Sequence, residues 1–333
     1  MKRIIYCLFV FITFHQAFAQ SGTSVYSFLH LPVSARQSAL GGDAVSIRDY
    51  DVSFAGVNPS LMNLDMDRNI SINYADYLAD SKFGTISYVQ DLNHGHLLGI
   101  NARYIDYGKM PRTDENANIS GEFGAIDASL GIAYAYQFEE DWTIGTQLSY
   151  VTSKIDYFTS SAISGNFGIT YYDKEEKETI ALVLRNFGYQ LKTFNGVREK
   201  MPFRIDMGYT KILKEFPIAL TLSIHDLQQF NISQQYNNNG QEVGFVRKIA
   251  DHLSFGAELF PEQAFNLRLG YNVKRGNELA VLDQRSFTGL SFGFGIKIAS
   301  FRFDYSHVRY HNAANLNQIG ISLDMIQLSG RRR

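Results

Sequence analysis

The sequence predicts an all-β protein: a transmembrane barrel of about fourteen antiparallel strands, of the bacterial outer-membrane kind, with a short N-terminal plug or cap. Three observations carry that prediction. The chain is aromatic and charge-poor, with 20 Tyr, 25 Phe and 19 % charged residues, against about a quarter in ordinary domains. Many segments alternate with the period of two that a pleated strand imposes. The stretches between them sort into short and long connections, as periplasmic turns and outer loops do in such barrels.

The N-terminus sets the compartment. Lys2 and Arg3 precede the apolar run from Ile4 to Phe14, and Ala17-Phe18-Ala19 offers a small-x-small cleavage site before Gln20. Residues 1–19 therefore read as a cleavable secretory signal. The run is shorter than the ~20 apolar residues of a bilayer-spanning helix. Cys7, the single cysteine, lies inside the signal, so the mature chain is expected to have no disulfide and no thiolate chemistry. An exported chain of this size without disulfides needs a large core or a closed sheet. Losing Lys2 and Arg3 leaves 29 basic against 33 acidic residues, net −4, with none of the basic excess of a nucleic-acid binder.

Strands are expected near 69–77, 83–90, 95–105, 127–138, 142–157, 161–172, 179–187, 203–212, 217–227, 252–260, 265–273, 288–298, 301–308 and 318–326. In 265–272, Phe265, Leu267, Leu269 and Tyr271 oppose Asn266, Arg268, Gly270 and Asn272. In 290–298, Leu290, Phe292, Phe294, Ile296 and Ile298 oppose Ser291, Gly293, Gly295 and Lys297. A soluble sandwich would alternate too, with its apolar faces inward. Small residues on the polar faces, and tyrosines such as Tyr134, Tyr136 and Tyr157 near strand ends, favour a membrane barrel with aromatic girdles. Short connections at 91–94, 139–141, 173–178, 213–216, 261–264 and 299–300 fall on one side. Most of those on the other side are longer, at 106–126, 188–202, 228–251, 274–287 and 309–317, while two more there, near 78–82 and 158–160, are short as well. The division is then signal 1–19, plug or cap 20–68, barrel 69–326 and basic tail 327–333.

Patterns suggestive of chemistry have plainer readings. Gly289-Leu-Ser-Phe-Gly293 matches the serine-hydrolase elbow, but Ser291 lies mid-strand with no helix after it. His94 and His96 sit at a turn without the further ligands a zinc site needs. His225 shares a face with Ser223, but no activating arrangement is evident. The sequence therefore suggests neither an enzyme nor a cofactor. The inward set Arg204, Asp206, His225, Glu258, Arg268, Lys297, Arg302 and Asp304 mixes both signs. Such a mixture suits a salt-bridged filling better than a selective pore, which commonly shows rings of one sign.

The stretch from Leu31 to Asn63 carries Gly41-Gly42 without any phosphate-loop pattern. Ser34 is placed to cap a short helix from Ala35 to Leu40, with Gly41 as its stop. The motif Ser34-Ala35-Arg36, then Ala39 to Gly42, then Asp49 and Asp51, then Asn58-Pro59-Ser60, resembles the N-terminal signature of the PorV/PorQ family, and Phe28-Leu29-x-Leu31-Pro32 before it resembles the PorQ branch in particular. That family falls within the wider group of FadL-like transporter barrels. The resemblance implies a non-enzymatic outer-membrane component of the type IX secretion system. It further implies PorU-, PorV- and PorZ-like partners, and cargo proteins delivered to the surface and attached to lipopolysaccharide. The alternative is a FadL-like transporter of hydrophobic molecules. The motif residues Ser34, Ala35, Arg36, Gly41, Gly42, Asp49, Asp51, Asn58 and Pro59 are the expected plug determinants.

Overall fold

A computed structural model describes residues 24–77, 80–114, 116, 118–236, 240–278, 288–311 and 314–330. The expected signal peptide, residues 20–23 and Arg331 to Arg333 lie outside the described residues. Fourteen strands form one closed barrel, every strand antiparallel to its neighbours, with β1 and β14 meeting at the seam. They are β1 (Asn69–Asp76), β2 (Lys82–Asp91), β3 (His96–Thr113), β4 (Ile119–Gln137), β5 (Trp142–Ile155), β6 (Phe158–Asp173) and β7 (Glu178–Lys192). The circuit continues with β8 (Arg204–Ile212), β9 (Ile218–Ile224), β10 (Leu253–Leu259), β11 (Phe265–Asn272), β12 (Leu290–Ile298), β13 (Phe301–His311) and β14 (Ala314–Asp324).

Exposure decides which face is inside. Leu130, Ile132 and Leu148 are 59 %, 61 % and 64 % exposed, whereas Asp127, Ser129, Gln147 and Ser149 on the opposite faces are buried. A sandwich would show the reverse. Apolar side chains outside and polar ones inside are what a lipid-facing wall around a filled lumen requires.

Several expected boundaries move: β7 runs on to Lys192, and the connection placed at 309–317 is mostly strand, with β13 running to His311 and β14 starting at Ala314. The outer connection placed at 106–126 is largely strand, since β3 runs to Thr113 and β4 starts at Ile119. Above the apolar belt both faces of this hairpin are polar or mixed, so the ladder continues where the hydrophobic alternation fades. Lys109 pairs with Glu122 there at 3.4 Å. The last strand stops at Asp324, short of 326. The Asp324 carboxylate accepts from Ile326 N and Gln327 N and starts a short helix, Met325–Leu328.

The wall is uneven. β3 to β7 have 14 to 19 residues each, whereas β8 to β11 have 7 to 9. Beside the short strands, the outer loops carry the helices Phe245–Ala250 and Val273–Glu278. Among the described residues, no helix is long and apolar enough to cross a membrane.

The N-terminal segment fills the lumen. With the long loops taken as the outer side, it begins at the outer end, where Ser24 bridges to Lys200 between β7 and β8. It leaves at the periplasmic end, where Asp67 accepts from Asp91 N at 2.8 Å. Between them lie α1 (Ala35–Ala39) and four single turns, Ser27–His30, Val52–Gly56, Pro59–Leu61 and Leu64–Met66. Phe28 and Leu29 pack on Ala75, Phe83, Ile105, Val151 and Leu316 near the top. Met62 and Met66 pack with Val89, Leu97, Ala133 and Ala135 near the bottom.

Candidate functional site

The site is the junction of plug and lumen. Ser34 accepts from Gln37 N at 3.2 Å and caps α1. The chain leaves the helix through Gly41 and Gly42 at φ +93° and +91°, values an L side chain rarely adopts, with Gly42 N donating to Gln37 O at 2.9 Å. The helix therefore ends where the backbone can turn back on itself. Ala35 is buried in the first turn, which leaves Arg36 to cross the lumen.

Arg36 is 2 % exposed and reaches three carboxylates: Asp49 at 2.6 Å, Glu258 at 2.7 Å and Asp51 at 3.8 Å. From Glu258 the chain of ion pairs continues to Arg268 at 2.8 Å, on to Asp304 at 2.6 Å, and then to Arg302 at 3.1 Å. Arg302 also donates to Asn266. The Tyr50 ring lies between two guanidinium groups, 5.3 Å from Arg36 and 4.7 Å from Arg302. Burial pushes the Asp51 carboxyl up in spite of Arg36. Asp51 also caps the next turn by accepting from Ser53 N at 3.1 Å.

A second cluster lies near the outer end. Arg204 pairs with Asp43 at 2.9 Å and Asp206 at 3.1 Å, and Arg185 pairs with Asp206 at 3.0 Å. His225 Nδ1 lies 2.9 Å from Asp226, and its Nε2 lies 3.9 Å from Asp43. Burial alone would raise the Asp43 carboxyl, but His225 and Arg204 outweigh it and hold the group well below the ordinary carboxylate range. His30 donates from Nε2 to Pro202 O at 2.8 Å, because a carbonyl can only accept. Burial, reinforced by Arg204, lowers its pKa to about 4.

Asn58 and Pro59 shape the lower half of the plug. The Asn58 carbonyl accepts from Ser60 N at 3.1 Å while its amide donates to Val45 O at 3.1 Å. Pro59, with its φ already set, opens the next turn. Wall glycines make room for this chain. A Cβ on Gly145 would overlap the Pro59 carbonyl, and one on Gly168 would overlap the Asn58 amide. On Gly270 it would overlap Gly41 N.

The structure thus gathers the motif residues into one plug. It places Arg204, Asp206, His225, Glu258, Arg268, Arg302 and Asp304 in the lumen, buried and paired in mixed-sign clusters. Lys297 differs: it is exposed and lines the periplasmic vestibule, because its strand has passed the plug by that height. Ser291 Oγ donates to Ala39 O at 3.0 Å and accepts from Gly41 N, so it anchors the helix end. His96 stacks on Tyr136 at 4.6 Å, and no metal-binding group of three ligands occurs among the described residues. Arg185, Arg103 and Asp43 escaped the sequence reading. Alternation in 179–187 and 95–105 puts Arg185 and Arg103 on inward faces, whereas Asp43 has no such pattern. Arg103 is buried and donates to Leu29 O at 2.9 Å and to Gly56 O, which ties the wall to the plug backbone.

Two cavities flank the plug. The outer one holds about 310 Å³ and is lined by Phe28, Leu31, Pro32, Tyr77, Ile105 and Tyr107 together with the polar Ser27, His30, Asp43 and Arg275. The periplasmic one holds about 660 Å³ and is lined by charged residues, among them Arg48, Asp65, Glu140, Lys177 and Lys297. A fourteen-strand barrel whose lumen is closed by its own N-terminal segment defines a class of outer-membrane protein.

Among solved structures this fold is shared by FadL-like barrels. The chain is similar to the Ralstonia pickettii toluene transporter TbuX, with 11 % identity, a TM-score of 0.56, and 89 % of this chain and 98 % of that one covered. It is similar to the Pseudomonas putida toluene transporter TodX, with 13 % identity, a TM-score of 0.54, and 88 % and 96 % covered. It is also similar to a Pseudomonas aeruginosa FadL homologue, with 11 % identity, a TM-score of 0.52, and 91 % and 100 % covered. No protein-family model matches the sequence, and no curated protein does. The fold is that of the FadL-like outer-membrane barrels.

Proposed function

We propose that this chain is a non-enzymatic outer-membrane transporter of small hydrophobic molecules, which enter through the outer cavity. The observation that carries this reading is that cavity. Its apolar wall is shared between plug residues, Phe28 and Leu31, and a barrel residue, Ile105. A ligand seated there touches the element that closes the lumen, so binding and plug movement are mechanically linked. An apolar cavity of ~150 Å³ already suffices for benzene, and this one holds about 310 Å³. The toluene transporters TodX and TbuX support the same class of cargo. The test is toluene binding to the purified barrel in detergent. Saturable binding that Ile105→Trp abolishes, with the barrel still folded, is expected. Partitioning identical in both proteins would remove the proposal.

A second reading has its own support in the plug motif. Arg36, Asp49, Asp51, Asn58 and Pro59 are spent on holding the lumen shut. A closed barrel suits a scaffold in type IX secretion, with PorU-, PorV- or PorZ-like partners and cargo bound for lipopolysaccharide. Deletion in the source bacterium separates the readings. Periplasmic retention of proteins with C-terminal signal domains, reversed by the gene, favours secretion. Normal delivery with impaired hydrophobic uptake favours transport.

A further inference from the structure

The short strands pose a problem that the loop beside them answers. β9 and β10 have 7 residues each. At ~3.4 Å per residue and a tilt of ~35–45°, that is about 17–19 Å of wall. The apolar band of an outer-membrane barrel is ~25 Å tall. Pairing runs further at both ends, with His225 N donating to His252 O at 2.9 Å and Phe260 N to Pro217 O at 2.7 Å, which brings the paired wall to about 22–25 Å, at the lower limit of that band.

The connection from β9 to β10 exposes apolar residues directly above this gap. Phe230, Phe245, Val246 and Ile249 are 62 %, 65 %, 79 % and 45 % exposed. The last three lie on the helix Phe245–Ala250, which leads straight into β10. The Phe230 and Phe245 rings meet at 5.8 Å, so the patch is continuous rather than scattered. It prolongs the outward apolar row formed by Leu220 and Leu222 on β9 and Phe255 on β10. Within the helix, Lys248 N donates to Gly244 O at 3.1 Å and Asp251 N to Arg247 O at 2.9 Å, so part of this backbone is satisfied internally. Arg247 turns away from the patch, with Nη2 donating to Asn277 O at 3.2 Å.

We infer that this loop is a stretch of the lipid-facing wall: Phe230, Phe245, Val246 and Ile249 contact acyl chains of the outer leaflet and complete the belt where the sheet stops short. A water-facing loop would have no use for four such side chains in one place. The occupant is lipid rather than a protein partner, because the patch is continuous with the strand face already turned to the bilayer.

The test uses single cysteines in a Cys7→Ser background, which leaves the rest of the chain free of thiols. Val246→Cys and the control Asn195→Cys, on the exposed loop between β7 and β8, are labelled with an environment-sensitive dye. Each purified protein is reconstituted alone into phosphatidylcholine vesicles, with and without doxyl-labelled lipid. At Val246 we expect blue-shifted emission and at least twofold stronger doxyl quenching than at Asn195. Water-like emission at Val246, quenched by aqueous iodide and not by doxyl lipid, would overturn the inference. Should Val246→Cys fail to fold, Phe230→Cys reads the same patch. With no other protein in the vesicle, shielding by a partner cannot imitate the result.

Discussion

Arg36 is the residue at which the plug and the wall meet most directly, through Glu258 on β10 and Asp49 on the plug itself. Arg36→Ala takes the cation from Asp49 and Asp51 while Glu258 keeps Arg268 at 2.8 Å, so the loss should lie at or below the lower end of the about 3–5 kcal/mol of a fully uncompensated buried pair. The expected outcome is a lower midpoint for heat-induced unfolding on gels and faster proteolysis of the N-terminal segment, with Arg36→Lys intermediate. Unchanged values for both would mean that the plug is held elsewhere. His30 makes a pH prediction. Folding lowers its pKa to about 4, so the native state resists a proton that the unfolded chain accepts near ~6.5. Its contribution is complete above ~6.5 and fades as pH falls toward about 4. Hydrogen exchange of residues 24–31, corrected for intrinsic rates, should accelerate across that window. His30→Gln should flatten the profile, and a profile that does not change would exclude His30 as its source.

At the scale of elements, the lumen glycines set how closely the plug can lie. Gly270→Val has no room beside Gly41 N, and Ser291 also stands against that position. The expected variant keeps its barrel but exposes the plug to protease. A protected plug would show that the wall can shift outward instead. Ser34→Ala removes the cap of α1 and should cost about 1 kcal/mol, read as a smaller shift than that of Arg36→Ala. This scale also shows what the sequence revealed. The period of two located all fourteen strands because lipid outside and polar filling inside give the faces opposite chemistry. It failed in 106–126 because that hairpin stands clear of the belt, where neither face needs to be apolar. Ser34 and Gly41 could be read as helix punctuation because capping is local. The partners of Arg36 could not, since Glu258 lies 222 positions away. Asp43 was missed for the same reason: its role depends on Arg204 and Asn272 across the lumen, at 2.9 and 2.7 Å.

At the scale of the whole molecule, the plug and the paired charges close the lumen together. A chain lacking residues 24–63 should still form the barrel, because the ladder runs unbroken around the seam. It should conduct ions in planar bilayers where the full protein does not. Equal, negligible conductance in both would mean that the wall side chains alone fill the lumen. The uneven wall belongs to this scale too, since tall and short sides of one barrel meet the bilayer differently.

The plug has one more consequence, for how the protein is made. Its residues are synthesised before β1, yet Ser38 binds Gln318 on the last strand at 2.6 Å and Arg36 binds Glu258 on the tenth. A seam closed first would leave the segment to be threaded afterwards into a lumen the sheet had already walled in. A sheet that curls around a segment already lying in its path avoids that threading, as metal is bent around a mandrel. Closure of β1 on β14 then locks in a shape that the first-made part of the chain has gauged.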